Sequence, residues 1–193
     1  ASKYVKNNSF NKKLDKNHKA IVNYEPVGIV GLIIPWNFPF VVMSERLPFI
    51  LAAGNSVIIK PSEYASQSLM YLMNIIKKIN LPIGIINLIT GSGTNVGSLL
   101  TSNKNINMIS FTGSTYVGKK IMKKSANNIK RLSLELGGKN SFIVLSDADI
   151  NKTINIIIES FTGNAGQSCV STSRLFVDTK VKNGGDMISG RSA

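Results

Sequence analysis

Short apolar runs alternate with segments of helical spacing along most of the 193-residue chain. The run at 27–34 is continuous, apolar and rich in β-branched residues, and it stops at Pro35, as a strand buried on both faces would. Shorter runs predict further strands at 57–59, 85–89, 108–111, 132–136, 141–145 and 175–177. Apolar residues at helical spacing predict helices at 44–53, 66–79, 94–101, 115–127 and 147–161. This alternation predicts an α/β fold, a Rossmann-like, mostly parallel sheet with helices on both faces.

Several predicted strands end in a short polar or glycine-rich motif. These motifs are Pro35-Trp36-Asn37, Lys60-Pro61-Ser62-Glu63, Gly91-Ser92-Gly93 and Thr112-Gly113-Ser114. In an open parallel sheet, ligands bind beyond the carboxyl ends of the strands. The motifs therefore predict one binding site along that edge of the sheet.

Composition excludes several classes of protein. The chain is 43% hydrophobic and 17% charged, which suits a globular core. Its longest apolar runs are far shorter than the roughly 20 residues of a membrane helix, and residues 1–19 are too polar for a signal peptide. A single cysteine, Cys169, excludes an intramolecular disulfide, and with one histidine it leaves too few ligands for a zinc site. We expect a cytoplasmic protein with no metal and no membrane partner.

The net charge of +13 admits a nucleic-acid-binding interpretation. However, 19 lysines accompany only 4 arginines, a pattern typical of AT-rich coding bias, whereas phosphate-binding surfaces favour arginine. The densest cluster lies on one face of a predicted helix and consists of Lys119, Lys120, Lys123 and Lys124. We expect a solvated face there and no specific nucleic-acid partner.

Three interpretations compete for the segment at 113–119. It matches G-x-x-x-x-G-K, the core of a P-loop, and Asp147 follows an apolar run as a magnesium-binding aspartate would. Lys120, however, occupies the position of the Ser or Thr hydroxyl that binds the metal. The second interpretation is a structural helix that begins at Gly113 and Ser114 and merely contains Gly118 and Lys119. The third, which the sequence favours, is that the N-terminus of this helix binds a pyrophosphate without metal.

Three residues are candidates for catalysis. Cys169 lies in a turn of small residues that suits close approach to a ligand, although a lone cysteine is more often inert. No acid lies between Glu63 and Glu135, so chemistry in the middle of the chain that needs a carboxylate must use one of them. The candidate is Glu135, which leads into the bend at Gly137-Gly138, with a surface carboxylate paired with a lysine as its ordinary alternative. Asn37 stands in a strand-end motif, where a turn asparagine is the ordinary alternative.

Five motifs together resemble the signature set of the aldehyde dehydrogenase superfamily. They are Pro-Trp-Asn-Phe-Pro at 35–39, Lys-Pro-Ser-Glu at 60–63, Phe-Thr-Gly-Ser-Thr at 111–115, Leu-Glu-Leu-Gly-Gly-Lys at 134–139 and Gly-Gln-Ser-Cys at 166–169. The resemblance extends over residues 22–178. It implies an NAD-dependent oxidoreductase that converts a small-molecule aldehyde into a carboxylic acid, and a homo-oligomer for a full-length member.

The resemblance also implies catalytic roles. Cys169 would be the nucleophile that forms a thiohemiacetal and then a thioester. Asn37 and the backbone N–H of Cys169 would form the oxyanion hole, and Glu135 would be the general base that activates water. Two departures accompany these matches. Arg46 stands where many members carry lysine, and Ser171 replaces a second cysteine found in some members.

The cofactor implied by the resemblance is NAD, with NADP less favoured because Glu63 would repel a 2′-phosphate. Lys60 and Glu63 would bind the adenosine ribose, and Gly113 and Ser114 the pyrophosphate. The full cofactor-binding set that we expect is Pro35, Trp36, Lys60, Ser62, Glu63, Gly113, Ser114 and Gly137.

The expected organisation has four parts: a polar segment at 1–20, an NAD-binding domain at 21–137, the start of a catalytic domain at 138–180 and an atypical tail at 181–193. The tail is polar and glycine-rich and reads as the product of a truncation or frameshift. We therefore expect that this chain alone does not turn over aldehyde.

Overall fold

The computed structural model describes residues 10–181. Within them lie nine strands: β1 (Phe10–Lys13), β2 (Lys19–Val22), β3 (Ile29–Ile33), β4 (Ser56–Lys60), β5 (Ile86–Leu88), β6 (Met108–Gly113), β7 (Arg131–Leu136), β8 (Asn140–Val144) and β9 (Thr172–Val177). The α-helices of this part are α1 (Pro39–Ala52), α2 (Gln67–Ile76), α3 (Ser98–Ser102), α4 (Thr115–Ala126) and α5 (Ile150–Thr162). The seven strands and five helices that the pattern predicts are all present, with shifted ends.

The described chain divides into two compact units, the first ending at Leu136 and the second beginning at Gly137. The first unit contains a five-stranded parallel sheet in the order β5-β4-β3-β6-β7. β4 and β5 lie on one side of β3, and the chain then returns to place β6 and β7 on its other side. In sheets of this kind, the point where the strand order reverses is where ligands bind. The predicted α/β class and parallel sheet are confirmed.

The first unit buries apolar side chains on both faces of its sheet. Because successive strand residues point to opposite faces, Leu32 and Ile33 belong to different clusters. The cluster on one face joins the sheet to α1 and α2 and contains Leu32, Ile34, Met43, Leu47, Val57, Ile59 and Leu69. The cluster on the other face includes residues of α3 and α4 and contains Ile33, Leu100, Ile106, Ile109, Phe111 and Ile121.

The second unit contains a parallel pair of strands, β8 and β9, connected through α5. Asp149 caps α5, because its carboxylate accepts the backbone N–H of Lys152 at 3.2 Å. Its buried apolar residues within the described range are Val144 and Ile154. This unit therefore has a much smaller apolar core than the first.

The structure differs from the sequence predictions at three places. β1 and β2 form an antiparallel hairpin where a polar segment was expected. Helix α1 begins at Pro39, five residues before the predicted start, and α5 begins at Ile150 rather than Asp147. The predicted tail lies outside the described residues from residue 182 onward. Nowhere between residues 10 and 181 is there a helix with the length and apolarity needed to cross a membrane.

Candidate active site and dinucleotide site

The carboxyl edge of the five-stranded sheet carries the predicted strand-end motifs. β3 is followed by Pro35, Trp36 and Asn37 in the loop before α1, and β6 ends at Gly113 next to Ser114. Since β3 and β6 are paired and parallel, these two loops leave the same edge at neighbouring strands. The indole of Trp36 is half exposed there. The first unit thus has its open loops at the point where the strand order reverses.

Lys60 and Glu63 form a charged pair at the end of β4. Lys60 is only 2% exposed, and its Nζ donates to the carbonyl oxygen of Pro61 at 2.8 Å. The same Nζ lies 3.6 Å from Oε2 of Glu63, whose side chain is more exposed. Ser62 lies between them in the turn. The buried ammonium therefore points toward a carboxylate that solvent and ligands can reach.

The carboxyl group of Glu63 is held in its charged form. The hydrogen bond from its own backbone N–H is the largest effect and holds the pKa below the ordinary value of 4.5, against the opposing effect of burial. The Lys60 charge and the backbone N–H of Gly93 lower the pKa further. A depression of about 260 Å³ borders this residue and continues along the chain to Ser68. A hydroxyl group that enters it would meet an ionised acceptor.

Ser114 caps α4, because its Oγ accepts the backbone N–H of Val117 at 3.3 Å. Gly113 has no room for a side chain, since an added Cβ would lie 2.5 Å from the Phe111 ring. Gly118 and Lys119 lie inside the helix rather than in a loop around a phosphate. The P-loop interpretation is therefore not supported, whereas a capped helix N-terminus is present at Ser114.

Glu135 lies in β7 with a side chain that is 60% exposed. Its Oε1 is 3.2 Å from Nη2 of Arg46, which extends from α1. The Nε of Arg46 is buried and has no hydrogen-bond acceptor among the described residues. Arg46 thus forms an ion pair with the predicted general base. Gly137 follows directly and is the first residue of the second unit.

Cys169 lies in the second unit, in a turn at residues 163–171 that we call the cysteine turn. The thiol is exposed. Three consecutive residues of the turn, Asn164, Ala165 and Gly166, have left-handed backbone with φ of 52°, 55° and 73°. Asn140 in β8 donates from Nδ2 to the carbonyl oxygens of Cys169 at 2.6 Å and Ser171 at 3.1 Å. These two hydrogen bonds tie the turn to the start of β8.

A cavity of about 450 Å³ borders the cysteine turn. Its walls within the second unit include Gly138 and Lys139 on one side and Ser168 and Ser171 on the other. It is large enough for a small organic molecule.

Two contacts of the candidate site were not predicted from the sequence. One is the ion pair of Arg46 with Glu135, since nothing in the spacing of these residues marks them as partners. The other is the pair of hydrogen bonds from Asn140, since an asparagine at the start of a strand carries no signal of a long-range hydrogen bond. Of the predicted residues, Asn37, Glu135 and the cofactor set up to Ser114 lie in the first unit, and Cys169 and Gly137 lie in the second.

Comparison with known proteins agrees with the fold and these motifs. The profile of the Aldehyde dehydrogenase family matches residues 1–184. Retinaldehyde dehydrogenase 3 of Mus musculus is 40% identical over 168 residues, which cover 86% of this chain and 33% of that protein. Betaine aldehyde dehydrogenase 1 of Oryza sativa subsp. japonica is 43% identical, with coverage of 86% and 33%.

Solved structures give the same result. An NAD-dependent aldehyde dehydrogenase from Sinorhizobium meliloti matches with a TM-score of 0.88 at 38% identity, covering 95% of this chain and 36% of that one. Betaine aldehyde dehydrogenase from Staphylococcus aureus, in complex with NAD+, matches with a TM-score of 0.90 at 34% identity, with coverage of 96% and 37%. The chain belongs to the aldehyde dehydrogenase family. It spans about a third of the length of the curated relatives it matches.

Proposed function

We propose that this chain carries the dinucleotide-binding region and the nucleophile of an enzyme that oxidises an aldehyde to a carboxylic acid with NAD. The observation that carries this proposal is an exposed thiol, Cys169, held in a hydrogen-bonded turn beside a cavity, in a chain of the aldehyde dehydrogenase family. In this proposal residues 21–137 form the NAD-binding domain and residues 138–180 begin the catalytic domain.

The residues of the first unit fit a dinucleotide. The ionised Glu63 beside Lys60 suits the two hydroxyls of an adenosine ribose, which donate to a carboxylate. The capped start of α4 at Ser114 offers backbone N–H groups and the positive end of a helix dipole to a pyrophosphate. Pro35, Trp36, Ser62 and Gly137 complete the proposed set. When bound, NAD would supply the acceptor for the hydride that leaves the aldehyde carbon.

The thiolate of Cys169 would attack the carbonyl carbon of the aldehyde, and the oxygen would become an oxyanion. The Asn37 side-chain amide and the Cys169 backbone N–H would donate hydrogen bonds to it, and each such donor typically contributes about 3–4 kcal/mol to the transition state. After loss of hydride, the acyl group remains on sulfur as a thioester. Glu135, oriented by Arg46 at 3.2 Å, would then take a proton from the water that hydrolyses it.

The nucleophile assignment is tested by alkylation of Cys169 with iodoacetamide, followed by mass spectrometry. We expect NAD to slow this reaction and ATP with magnesium to leave it unchanged. Cys169→Ser should abolish covalent capture of a small aldehyde and keep NAD affinity within about twofold. Aldehyde adducts on Cys169→Ser at the wild-type level would refute the assignment. Protection by ATP instead of NAD would refute the cofactor.

The preference for NAD over NADP is tested at Glu63. A carboxylate at the ribose repels a 2′-phosphate. Glu63→Gln should therefore weaken NAD binding and raise the ratio of NADP affinity to NAD affinity. Isothermal titration of both cofactors measures the ratio. Glu25→Gln, at an exposed position before β3, is the matched control and should leave the ratio unchanged. An equal loss of both affinities in Glu63→Gln would contradict the ribose assignment.

A further inference from the structure

We infer that Asn140 is a positioning residue that fixes the backbone of the cysteine turn so that the N–H of Cys169 is aimed at the reacting oxygen. The inference rests on the proposed function, because it assigns the role of Asn140 within the same site. Asn140 itself would contact neither substrate nor cofactor.

Asn140 donates hydrogen bonds to two backbone carbonyl groups, that of Cys169 itself and that of Ser171. Its Nδ2 is 2.6 Å from the carbonyl oxygen of Cys169 and 3.1 Å from that of Ser171. A primary amide has two N–H groups, so each carbonyl can accept one. One side chain therefore fixes the peptide group that follows Cys169 and the one two residues further on, which limits rotation about the backbone of Cys169.

The local strand register places Asn140 where it can make both contacts. It is the first residue of β8 and is paired with Thr172 at the start of β9, and the register shifts immediately afterward, between Asn140 and Ser141. Such irregularities re-aim a side chain away from its regular position in a strand. The backbone just before Asn140 is also tied down, because Arg174 donates from Nη2 to the carbonyl oxygen of Lys139 at 2.6 Å.

The turn needs this anchor because apolar packing does not hold it. Val170 is 76% exposed, and Cys169 is exposed as well. Ser171 adds a hydrogen bond from its Oγ to the carbonyl oxygen of Ser160 at 3.1 Å, and its backbone N–H donates to the carbonyl oxygen of Ser168 at 3.2 Å within the turn. The left-handed residue Ala165 adds local strain that the hydrogen bonds must overcome. Loss of Asn140 would therefore release the carbonyl group of Cys169 and loosen the backbone that orients its N–H, while leaving the thiol just as accessible.

This distinction gives a test with two reactions at one sulfur atom. Alkylation by iodoacetamide needs only an accessible thiol, whereas capture of an aldehyde as a hemithioacetal also uses the backbone N–H that stabilises the oxygen. The variants are Asn140→Ala, Asn140→Asp, which has a similar size but no N–H donors, and Asn151→Ala, an exposed control on α5. The probe is [1-¹³C]propanal, and ¹³C NMR measures the captured fraction at Cys169.

We expect both Asn140 variants to capture at least fivefold less propanal, while their alkylation rates stay within twofold of the wild type. Asn151→Ala should match the wild type in both reactions. Capture within twofold of the wild type in Asn140→Ala would overturn the inference. A parallel loss of capture, alkylation and thermal stability would also overturn it, because it would show a structural role only.

If the wild-type chain captures no more propanal than Cys169→Ala does, the proposed function fails instead. Amide hydrogen exchange over residues 163–171 then decides whether Asn140 fixes the turn. Exchange at least tenfold faster in Asn140→Ala, with β8 and β9 unchanged, would support the positioning role. Unchanged exchange would refute it.

Discussion

The two units of the chain hold their candidate site residues by different means. In the first unit, Lys60 ends a central strand between two buried apolar clusters and is itself 2% exposed. In the second, Cys169 lies in an exposed turn that accepts hydrogen bonds from the side chain of Asn140, and many apolar side chains are exposed. These include Ile143, Leu145, Ile156, Phe161, Leu175 and Phe176.

In the proposed reaction, cofactor binding and nucleophilic attack would therefore depend on different stabilising interactions. Cofactor binding would rest on a packed scaffold that buries its apolar side chains, and this kind of burial is the main source of folding free energy. The nucleophile would rest on a few hydrogen bonds, each of which contributes only about 0.5–1.5 kcal/mol net. Substitutions should therefore change stability most in the first unit and local order most in the second.

The largest effect is expected from truncating a core side chain. Ile109→Ala, at a fully buried position in β6, should lower the free energy of unfolding by about 4 kcal/mol, because the packed sheet cannot close the cavity. Ile154→Ala in the second unit should cost about 2 kcal/mol, near the low end of the same range. Urea unfolding followed by circular dichroism measures both. Ile83→Ala, at a fully exposed position, should change nothing, and equal losses at 109 and 154 would contradict the comparison.

The left-handed backbone of the cysteine turn should give the next largest effect. Gly166 has φ of +73°, and an added Cβ would lie 3.3 Å from the carbonyl oxygen of Phe161. Gly166→Ala should therefore cost about 1–2 kcal/mol locally, seen as faster amide exchange in residues 163–171. Gly163→Ala is the control, since nothing lies within 4 Å of its added Cβ and its φ is −52°. Similar exchange in both variants would refute the claim of strain.

Helix caps allow a direct comparison of the units. Ser114→Ala removes the cap of α4 and Asp149→Ala that of α5, and each should cost about 1 kcal/mol. Ser66→Ala is the matched control, because Ser66 precedes α2 without a side-chain capping bond. Hydrogen exchange should locate each loss in its own helix. A loss in Ser66→Ala as large as the other two would show that capping is not the cause.

The smallest effect is the acid sensitivity of the first unit. Because the pKa of Glu63 is lowered in the folded state, its contribution to stability is present above pH 4.5 and is lost as the pH falls through the lowered pKa. The effect should be small, since the side chain is 42% exposed and solvent screens its pair with Lys60. Between pH 5 and pH 3, the midpoint of urea unfolding should fall less steeply with decreasing pH in Glu63→Gln than in the wild type. Glu25→Gln should show the wild-type slope. An unchanged slope in Glu63→Gln would contradict the assignment.

The sequence predicts the sheet well because its strands are buried on both faces. The segments that form β3, β4 and β6 are continuous apolar runs rich in valine and isoleucine, so both the strands and the polar motifs that end them are easy to recognise in the sequence. The strand-end motifs predict the candidate dinucleotide site for the same reason, since parallel strands place their carboxyl ends at one edge.

Other features give weaker signals. The β1–β2 hairpin was missed because β1 is exposed throughout and lysine-rich, so no burial pattern marks it. The early start of α1 was missed because Pro39 resembles the end of a turn, although proline at the first helical position is favourable. The contact of Asn140 with the carbonyl of Cys169 depends on a register shift that local composition does not encode.

The exposure of Cys169 has a practical consequence for handling the protein. With one cysteine in the chain, oxidation can join this sulfur only to a thiol of another molecule. Storage in air should therefore produce covalent dimers, visible as a band of doubled mass on a non-reducing gel and removed by dithiothreitol. Each intermolecular disulfide would block the proposed nucleophile of two chains. Preparations would therefore lose aldehyde capture in proportion to the fraction of dimer on the gel.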